Sequence, residues 1–220
     1  MELLREPKDG EGIDARGTMY PCRLEVLRAA RNVGAVTSSV YGFVLSGRAE
    51  LRAPGLEVRA DAGAFFCVAG EARVEPVGAA VVVAIERFGF RGQTIVGRVE
   101  AAGRLAYIDG CSDSILVSPP RLGDPVLNHL HFPAGIRQSP HIHPSIRLGV
   151  VARGEGVAYG PGDPGWEEPL TPGCVFLLHG HELHAFRTGA QELDVIAFHP
   201  DSDWGPTDAA HPMRNRTYVR

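Results

Sequence analysis

Short apolar runs separated by glycine, proline or charged residues dominate the first half of the chain and restrict the folds available to it. Residues 23–31 alternate Leu, Val and Ala, which favours a strand over one or two helical turns. Further β-like runs follow at residues 40–45, 49–51, 56–59, 64–68, 73–76 and 79–88. Strands this short, with Gly or Pro between them, indicate an all-β sandwich or barrel.

An internal repeat makes this expectation more specific. Two pairs of segments align, namely 44–51 with 151–158 and 61–68 with 171–178. The chain therefore looks like two copies of one barrel. The predicted organisation is an irregular N-terminal arm (1–20), a first barrel (21–95), a second barrel (104–200) and a tail that folds over a barrel mouth or across a dimer partner (201–220).

The second half carries its own strand and turn signals. Residues 104–117 predict a strand pair around Asp109-Gly110, a dipeptide typical of hairpin turns. Residues 126–132 predict a further strand, and residues 193–198 predict a closing strand. We therefore expect the second half to be as rich in β-structure as the first.

Two histidines stand at positions i and i+2, His141 and His143, just ahead of an apolar run. In a strand, residues two apart point to the same face, so both imidazoles would aim at a common point. Histidine is the commonest metal ligand, and a third ligand must then come from elsewhere in the fold. The best candidate is His184, eleven residues after Gly173.

This spacing resembles the two-motif signature of the cupin superfamily; the residues that carry the resemblance are Gly135, His141, His143, Gly154, Gly173 and His184. The resemblance covers most of residues 105–200 and implies an antiparallel jelly-roll barrel (a double-stranded β-helix) around one divalent metal, Zn(II) or Fe(II). His141, His143 and His184 fall on the family's metal-binding histidines. The repeat implies two tandem cupin barrels, a bicupin.

The first barrel is predicted to lack a metal site. In the repeat alignment, the three histidines and Arg147 fall on residues that cannot coordinate a metal, namely Gly34, Val36, Val74 and Val40. The first copy also contains no histidine. We interpret it as a degenerate, structural barrel.

Arg147 stands where the family usually supplies a carboxylate ligand. A guanidinium carries only hydrogen-bond donors and cannot coordinate a metal. The site therefore resembles the three-histidine centre of some cupins, including thiol and diketone dioxygenases. Arg147 shares the strand parity of His141 and His143, so we expect it to point inward and to clamp a substrate carboxylate.

Other side chains near the motif are candidates for the chemistry. His129 and His131 share one face of the strand over 126–132. If that face is internal, they act as a general acid or base, or as hydrogen-bond donors beside the metal; otherwise they lie at the surface. The candidates for substrate contact, in addition to Arg147, are Arg137, Gln138, Tyr159 and Phe186.

Two further groups of side chains are expected to take no part. His179 and His181 flank a turn and should lie at the surface. The aspartates of the tail are expected to be solvated turn formers rather than metal ligands, namely Asp201, Asp203 and Asp208.

Composition excludes several classes of function. A net charge of -4, without a cluster of basic residues, is untypical of a nucleic-acid-binding protein. The longest apolar run, 79–85, is too short to span a membrane, and the charged N-terminus does not resemble a signal peptide, so we expect a cytoplasmic protein. The four scattered cysteines predict neither disulfides nor a cysteine metal site.

Several functions fit these features. The first is a metal-dependent enzyme acting on a small, carboxylate-bearing, amino-acid-like metabolite by Fe(II) dioxygenase chemistry or by a Zn(II) redox-neutral rearrangement. Some biosynthetic cupins that work with amino-acid-activating partner enzymes form an N–N bond from an amino-acid ester, which is a special case. The alternatives are a non-catalytic small-ligand-binding cupin and a subunit that completes the active site of another enzyme. A homodimer is also expected.

Overall fold

The computed structural model describes residues 1–202, and strands account for nearly all of the regular structure in that range. One 3-10 turn, Ile108–Gly110, is the helical element of this part of the chain. No helix long and apolar enough to cross a membrane occurs within it. Most of the predicted tail, including Asp203 and Asp208, lies outside the described residues.

Strands of the first half form one eight-stranded system. The bounds are β2 Gly12–Asp14, β3 Cys22–Leu27, β4 Arg31–Val33, β5 Ser39–Ala53, β6 Leu56–Asp61, β7 Ala64–Ala69, β8 Ala72–Arg87 and β9 Ile95–Arg98. The sheet runs β2-β3-β8-β5-β7-β9, with β4 paired to β8 and β6 paired to β5. All of these pairings are antiparallel.

Four of the predicted short runs merge in pairs into two long strands. Runs 40–45 and 49–51 are one strand, β5, and runs 73–76 and 79–88 are one strand, β8. The separation was wrong because register shifts around Ser46 absorb Gly47, whose φ is 71°, without ending the β5–β8 ladder. A bulge of this kind bends a strand but lets its pairing continue.

Strands of the second half form two sheets. The bounds are β10 Leu105–Ala106, β11 Ser112–Val117, β12 Val126–Phe132, β13 Arg147–Gly154, β14 Gly156–Gly160, β15 Trp166–Leu170, β16 Val175–Leu178, β17 Ala185–Arg187 and β18 Leu193–His199. The larger sheet runs β1-β16-β13-β18-β12-β11-β10, where β1 is Glu2–Leu4, and the smaller runs β15-β14-β17. The hairpin predicted around Asp109-Gly110 is confirmed, since β10 pairs with β11 and both turn residues have positive φ.

The N-terminal arm is not irregular, contrary to the expectation. Its first strand, β1, pairs with β16 in the register Glu2↔Leu177, and β2 pairs with β3. A polar segment can form such edge strands because the pairing uses backbone groups and leaves outward side chains in solvent. The arm therefore ties the start of the chain to the second half.

The aligned repeat segments have the same local hydrogen bonding. The alignment puts Gly63 on Gly173 and Val44 on Val151. In both copies the glycine N–H donates to the valine carbonyl, at 2.9 Å. Both glycines have positive φ, which glycine adopts without the steric cost of a side chain.

A second pair of aligned positions shows the same packing. Gly42 lies opposite Phe66, and Gly149 lies opposite Phe176. A Cβ on either glycine would overlap the phenylalanine ring, so the absence of a side chain makes room for each ring. The aligned segments thus share local backbone geometry and packing, and the two-barrel organisation stays a prediction.

Three apolar clusters divide the interior. One lies between the halves and joins their side chains, as in the contact of Tyr41 with Phe198 at 4.8 Å between ring centroids. A second fills the first half, and it contains Val40 and Val74 at 0% exposure, the counterparts of Arg147 and His184. The third lies in the second half, beside the cavity described below. All four cysteines are free and buried.

Candidate metal centre

Three histidine rings converge at one mouth of the second half. One ligand atom from each of His141, His143 and His184 lies within 4.8 Å of the others. The ring centroids are 5.0 Å apart for His141 and His143, 4.6 Å for His141 and His184, and 5.2 Å for His143 and His184. The three rings therefore lie close together, and the group could hold a metal ion.

Backbone carbonyls orient two of the three rings. Nδ1 of His141 lies 3.0 Å from the carbonyl oxygen of Ser139, and Nδ1 of His184 lies 2.7 Å from that of Glu182. A carbonyl only accepts, so each Nδ1 carries the proton and each Nε2 keeps its lone pair. Metal-binding histidines are typically held by such a bond from the other ring nitrogen.

The histidines are brought together by loop pairing rather than by one strand. His141 and His184 form an isolated antiparallel bridge, and the N–H of His181 donates to the carbonyl of His143 at 2.7 Å. Strand β13 begins only at Arg147, so the prediction of a strand through both histidines was wrong. Pro140 and Pro144 lack the N–H that a continuous ladder needs.

Burial keeps these imidazoles neutral, which is the form that binds a metal. Burial lowers the pKa of His184 to about 4. The pKa of His141 is also lowered, and that of His143 lies well below its ordinary value, again chiefly through burial and with a contribution from the Arg147 guanidinium. The donor set therefore fits a divalent transition metal that accepts nitrogen ligands.

A cavity of about 70 Å³ adjoins the histidines, between the two sheets of the second half. Its apolar wall includes Phe132, Phe176, Leu178 and Phe186. The polar side chains that line it are Tyr107, Asp113, Asn128, Gln138, His141, His143, Arg147, His184, His199 and Ser202. A mostly apolar cavity with a few convergent polar groups is typical of a small-molecule site.

Arg147 lines this cavity and is only 3% exposed, so it points inward as expected, although His141 and His143 do not share its strand. Its Nη1 donates to Ser145 Oγ at 2.7 Å and to the carbonyl of Ile146 at 2.8 Å. Burial lowers its pKa to about 10, so it remains protonated at neutral pH. Asp201 Oδ1 lies 3.9 Å from Nη1, which places one carboxylate beside this cation.

The predicted substrate-contact residues separate into two groups. Gln138 and Phe186 line the cavity, whereas Arg137 and Tyr159 do not. Arg137 is exposed and stacks over the Tyr159 ring at 5.2 Å, and the Tyr159 hydroxyl donates to the carbonyl of Gln138 at 2.7 Å. These two residues therefore support the loop that carries Gln138 rather than contact the cavity.

His129 and His131 do not lie beside the three histidines, as one prediction had it, and they do not lie at the surface, as the other had it, because both are buried elsewhere. Even-numbered residues of β12 line the cavity, so both histidines lie on its opposite face. Both rings contact Asp194 Oδ1, through His129 Nε2 at 2.6 Å and His131 Nδ1 at 3.0 Å. Arg153 Nε donates to Asp194 Oδ2. The group is a hydrogen-bonded network around the buried Asp194, away from His141, His143 and His184.

The remaining predicted positions differ in outcome. His179 and His181 are exposed, as expected. Asp201 is not simply a solvated turn former, because it accepts a hydrogen bond from the hydroxyl of Ser145 beside Arg147.

Sequence reasoning missed five polar residues of the cavity, namely Tyr107, Asp113, Asn128, His199 and Ser202. Asn128 alternates with His129 along β12, so choosing the other face of this strand would have found it. Asp113 is hydrogen-bonded to Asn128 from the neighbouring strand. No motif in the sequence singles out Tyr107.

The fold is an all-β cupin fold, and three histidines that could hold a metal ion lie close together in its second half. A family model, the AraC-like ligand binding domain, matches residues 126–217. No curated protein matches the chain.

Solved cupin structures resemble this chain over most of its length. A cupin 2 conserved barrel domain protein from Leptotrichia buccalis is 17% identical, with a TM-score of 0.64 over 90% of this chain and 95% of that one. A putative glyoxylate-induced protein from Pseudomonas aeruginosa is 14% identical, with a TM-score of 0.68 over 88% and 80%. Salicylate 1,2-dioxygenase from Pseudaminobacter salicylatoxidans is 12% identical, with a TM-score of 0.61 over 85% and 75%.

Proposed function

We propose that this chain is a metal-dependent cupin enzyme that acts on a small carboxylate-bearing metabolite in the cavity beside His141, His143 and His184. The observation that carries the proposal is the convergence of three neutral imidazoles within 4.8 Å, two of them with Nδ1 bound to backbone carbonyls. Such an arrangement leaves the Nε2 atoms available to a metal, and the hydrogen bonds at Nδ1 fix the orientation of the rings.

The residues of the chain would divide the work. His141, His143 and His184 would hold a divalent metal, which supplies Lewis-acid chemistry and, in the case of iron, redox chemistry with dioxygen. Arg147 would orient the carboxylate of the substrate, since a buried guanidinium pairs strongly with an anion. The aromatic wall would exclude water and strengthen this pairing.

Dioxygenase chemistry has one specific point in its favour. The dioxygenase that this fold resembles is named for salicylate, which is a small carboxylate and would suit a substrate clamp formed by Arg147. A Zn(II) centre with a redox-neutral rearrangement is the alternative within the same enzyme class, and the N–N bond-forming version remains a prediction that no observation favours.

A non-catalytic ligand-binding protein is the second candidate. The match of residues 126–217 to the AraC-like ligand binding domain favours it. In this case Arg147 and the cavity would bind a small anion without turnover. The bicupin organisation, the homodimer and a biosynthetic partner enzyme are further proposals.

Metal analysis and oxygen uptake test the proposal. The full chain, purified without a tag, is reconstituted anaerobically with Fe(II) or Zn(II), and bound metal is counted. We expect about one metal per chain, and its loss in His184→Ala but not in the matched control His179→Ala, an exposed histidine of the same turn. Wild-type protein that binds no metal would refute the enzyme.

Turnover separates the candidates that remain. The Fe(II) form is assayed for oxygen uptake with salicylate, amino acids and keto acids. Oxygen uptake that depends on His184 supports the dioxygenase. Product formation by the Zn(II) form without oxygen uptake supports the redox-neutral enzyme, and saturable ligand binding without turnover supports the non-catalytic binding protein.

A further inference from the structure

Asn128 is a buried polar residue of the cavity whose orientation is fixed. It is 3% exposed and lies on the cavity face of β12. Its Nδ2 donates to Asp113 Oδ2 at 2.8 Å. Because an ionised carboxylate only accepts hydrogen bonds, the amide nitrogen must face Asp113, and Oδ1 must face away from it.

The Oδ1 atom of Asn128 has no hydrogen-bond partner among the described residues. A second amide oxygen of the same cavity, Gln138 Oε1, is equally buried and also lacks a partner there. Buried polar atoms are rarely left unsatisfied, because their desolvation then goes uncompensated. Two acceptors without donors indicate that the natural occupant of the cavity brings hydrogen-bond donors.

The charges of the cavity indicate what kind of donor this is. Asp113 is a buried acidic residue next to Asn128, and Arg147 supplies the cation of the same cavity. Both charges act on Tyr107: burial and the Asp113 carboxylate raise the pKa of its hydroxyl, and the Arg147 guanidinium lowers it. A ligand with one positive and one negative group is complementary in charge to these two residues.

The strand register sets the size of this ligand. Asn128 pairs with Ala197 on β18, and Ala197 pairs with Gly149 on β13, two residues from Arg147. Two strand spacings of about 4.8 Å and a rise of about 7 Å along the strand separate the Cα atoms of Asn128 and Arg147 by roughly 12 Å. Both side chains line the same cavity, so a small α-amino acid is of a size to contact both.

We propose that Asn128, oriented by Asp113, accepts a hydrogen bond from the α-ammonium group of a small amino acid whose carboxylate binds Arg147. This inference rests on the proposed function, because it requires that Arg147 binds the carboxylate. It adds a selection rule: the site prefers a zwitterion to a plain carboxylate of the same shape.

Three probes of nearly equal shape test this rule on the metal-reconstituted full chain. L-alanine, L-lactate and propionate carry an ammonium, a hydroxyl and a hydrogen at the same carbon, and their binding is measured by calorimetry. We expect alanine to bind at least about tenfold more tightly than propionate, with lactate between them. Equal affinities, or a preference for lactate or propionate, would overturn the subsite and leave the carboxylate site intact. No binding of any probe would overturn both.

Variants assign the preference to its residue. Asn128→Leu keeps a similar volume without polar atoms, so the alanine-to-propionate ratio should fall to about one while the propionate affinity is kept. Arg147→Lys should instead weaken alanine and propionate by similar factors. An unchanged ratio in Asn128→Leu would contradict the role of Asn128. If that variant does not fold, the comparison of the three probes with the wild-type protein still decides.

Discussion

The Asp194 network makes the sharpest prediction about stability. The Asp194 side chain is 3% exposed and accepts hydrogen bonds from His129, His131 and Arg153. In Asp194→Asn, one carboxylate oxygen becomes an amide donor that must face another donor. Losing a buried charge-assisted partner costs about 3 kcal/mol in the free energy of unfolding.

Urea unfolding measures this loss. With an m value of about 2–3 kcal/mol/M, a loss of this size lowers the midpoint by roughly 1–1.5 M. Glu192→Gln is the matched control, because Glu192 lies 3.3 Å from the same Arg153 but is 47% exposed, so its removal should cost about 0.5 kcal/mol or less. Bound metal should remain at the wild-type level in both variants.

The pH dependence of Asp194→Asn has a definite sign. Burial alone would raise the pKa of Asp194, but the hydrogen bonds from His129, Arg153 and His131 outweigh burial and lower it below 3.8. A carboxylate with a lowered folded-state pKa stabilises fully above its ordinary pKa and loses this contribution as pH falls through the lowered value. The gap between wild type and variant should therefore narrow below about pH 4. A midpoint shift under 0.3 M at pH 7, or a loss of bound metal, would refute the structural role given to His129 and His131.

Three further predictions concern the site and its scaffold. Arg147→Ala should raise the substrate KM or abolish turnover, and metal content should stay near wild type; loss of metal would contradict the clamp. Gly149→Ala should lower the free energy of unfolding by about 1–3 kcal/mol because its Cβ meets the Phe176 ring, whereas Gly189→Ala, with open space around it, should change little, as denaturant titration will show. When the free metal concentration is 100 times the Kd, removing the metal with a chelator should lower the free energy of unfolding by about 2.7 kcal/mol, which is measured as a lower Tm. An unchanged Tm would count against a metal site in the folded state.

The histidine cluster could be predicted because the i, i+2 spacing of His141 and His143 and the separation of Gly173 from His184 match a two-motif pattern, and the repeat could be predicted from its aligned segments. The alignment of Gly63 with Gly173 corresponds to the same backbone hydrogen bond in both copies. The three histidines converge although the chain between His141 and Arg147 is not a strand, because pairing of His141 with His184 replaces the expected ladder.

The face of β12 could not be predicted, for a physical reason. One side of this strand lines the cavity and the other packs towards the first half, so Asn128 and His129 are both buried, at 3% and 0% exposure. Alternation identifies the inner face only when the other face meets water. The merged strands β5 and β8 were missed for a similar reason, since a glycine in a bulge resembles a glycine in a turn.

The pairing of β1 with β16 has a consequence for anyone who would dissect this protein. Glu2–Leu4 is hydrogen-bonded to Val175–Leu178, on the far side of the chain midpoint. A fragment that began at residue 104 would lack β1 and would expose the edge of β16, whose unpaired backbone groups could then pair with another molecule. Trimming the molecule down to the half that carries the three histidines would thus invite self-association unless a substitute for the opening segment were grafted on.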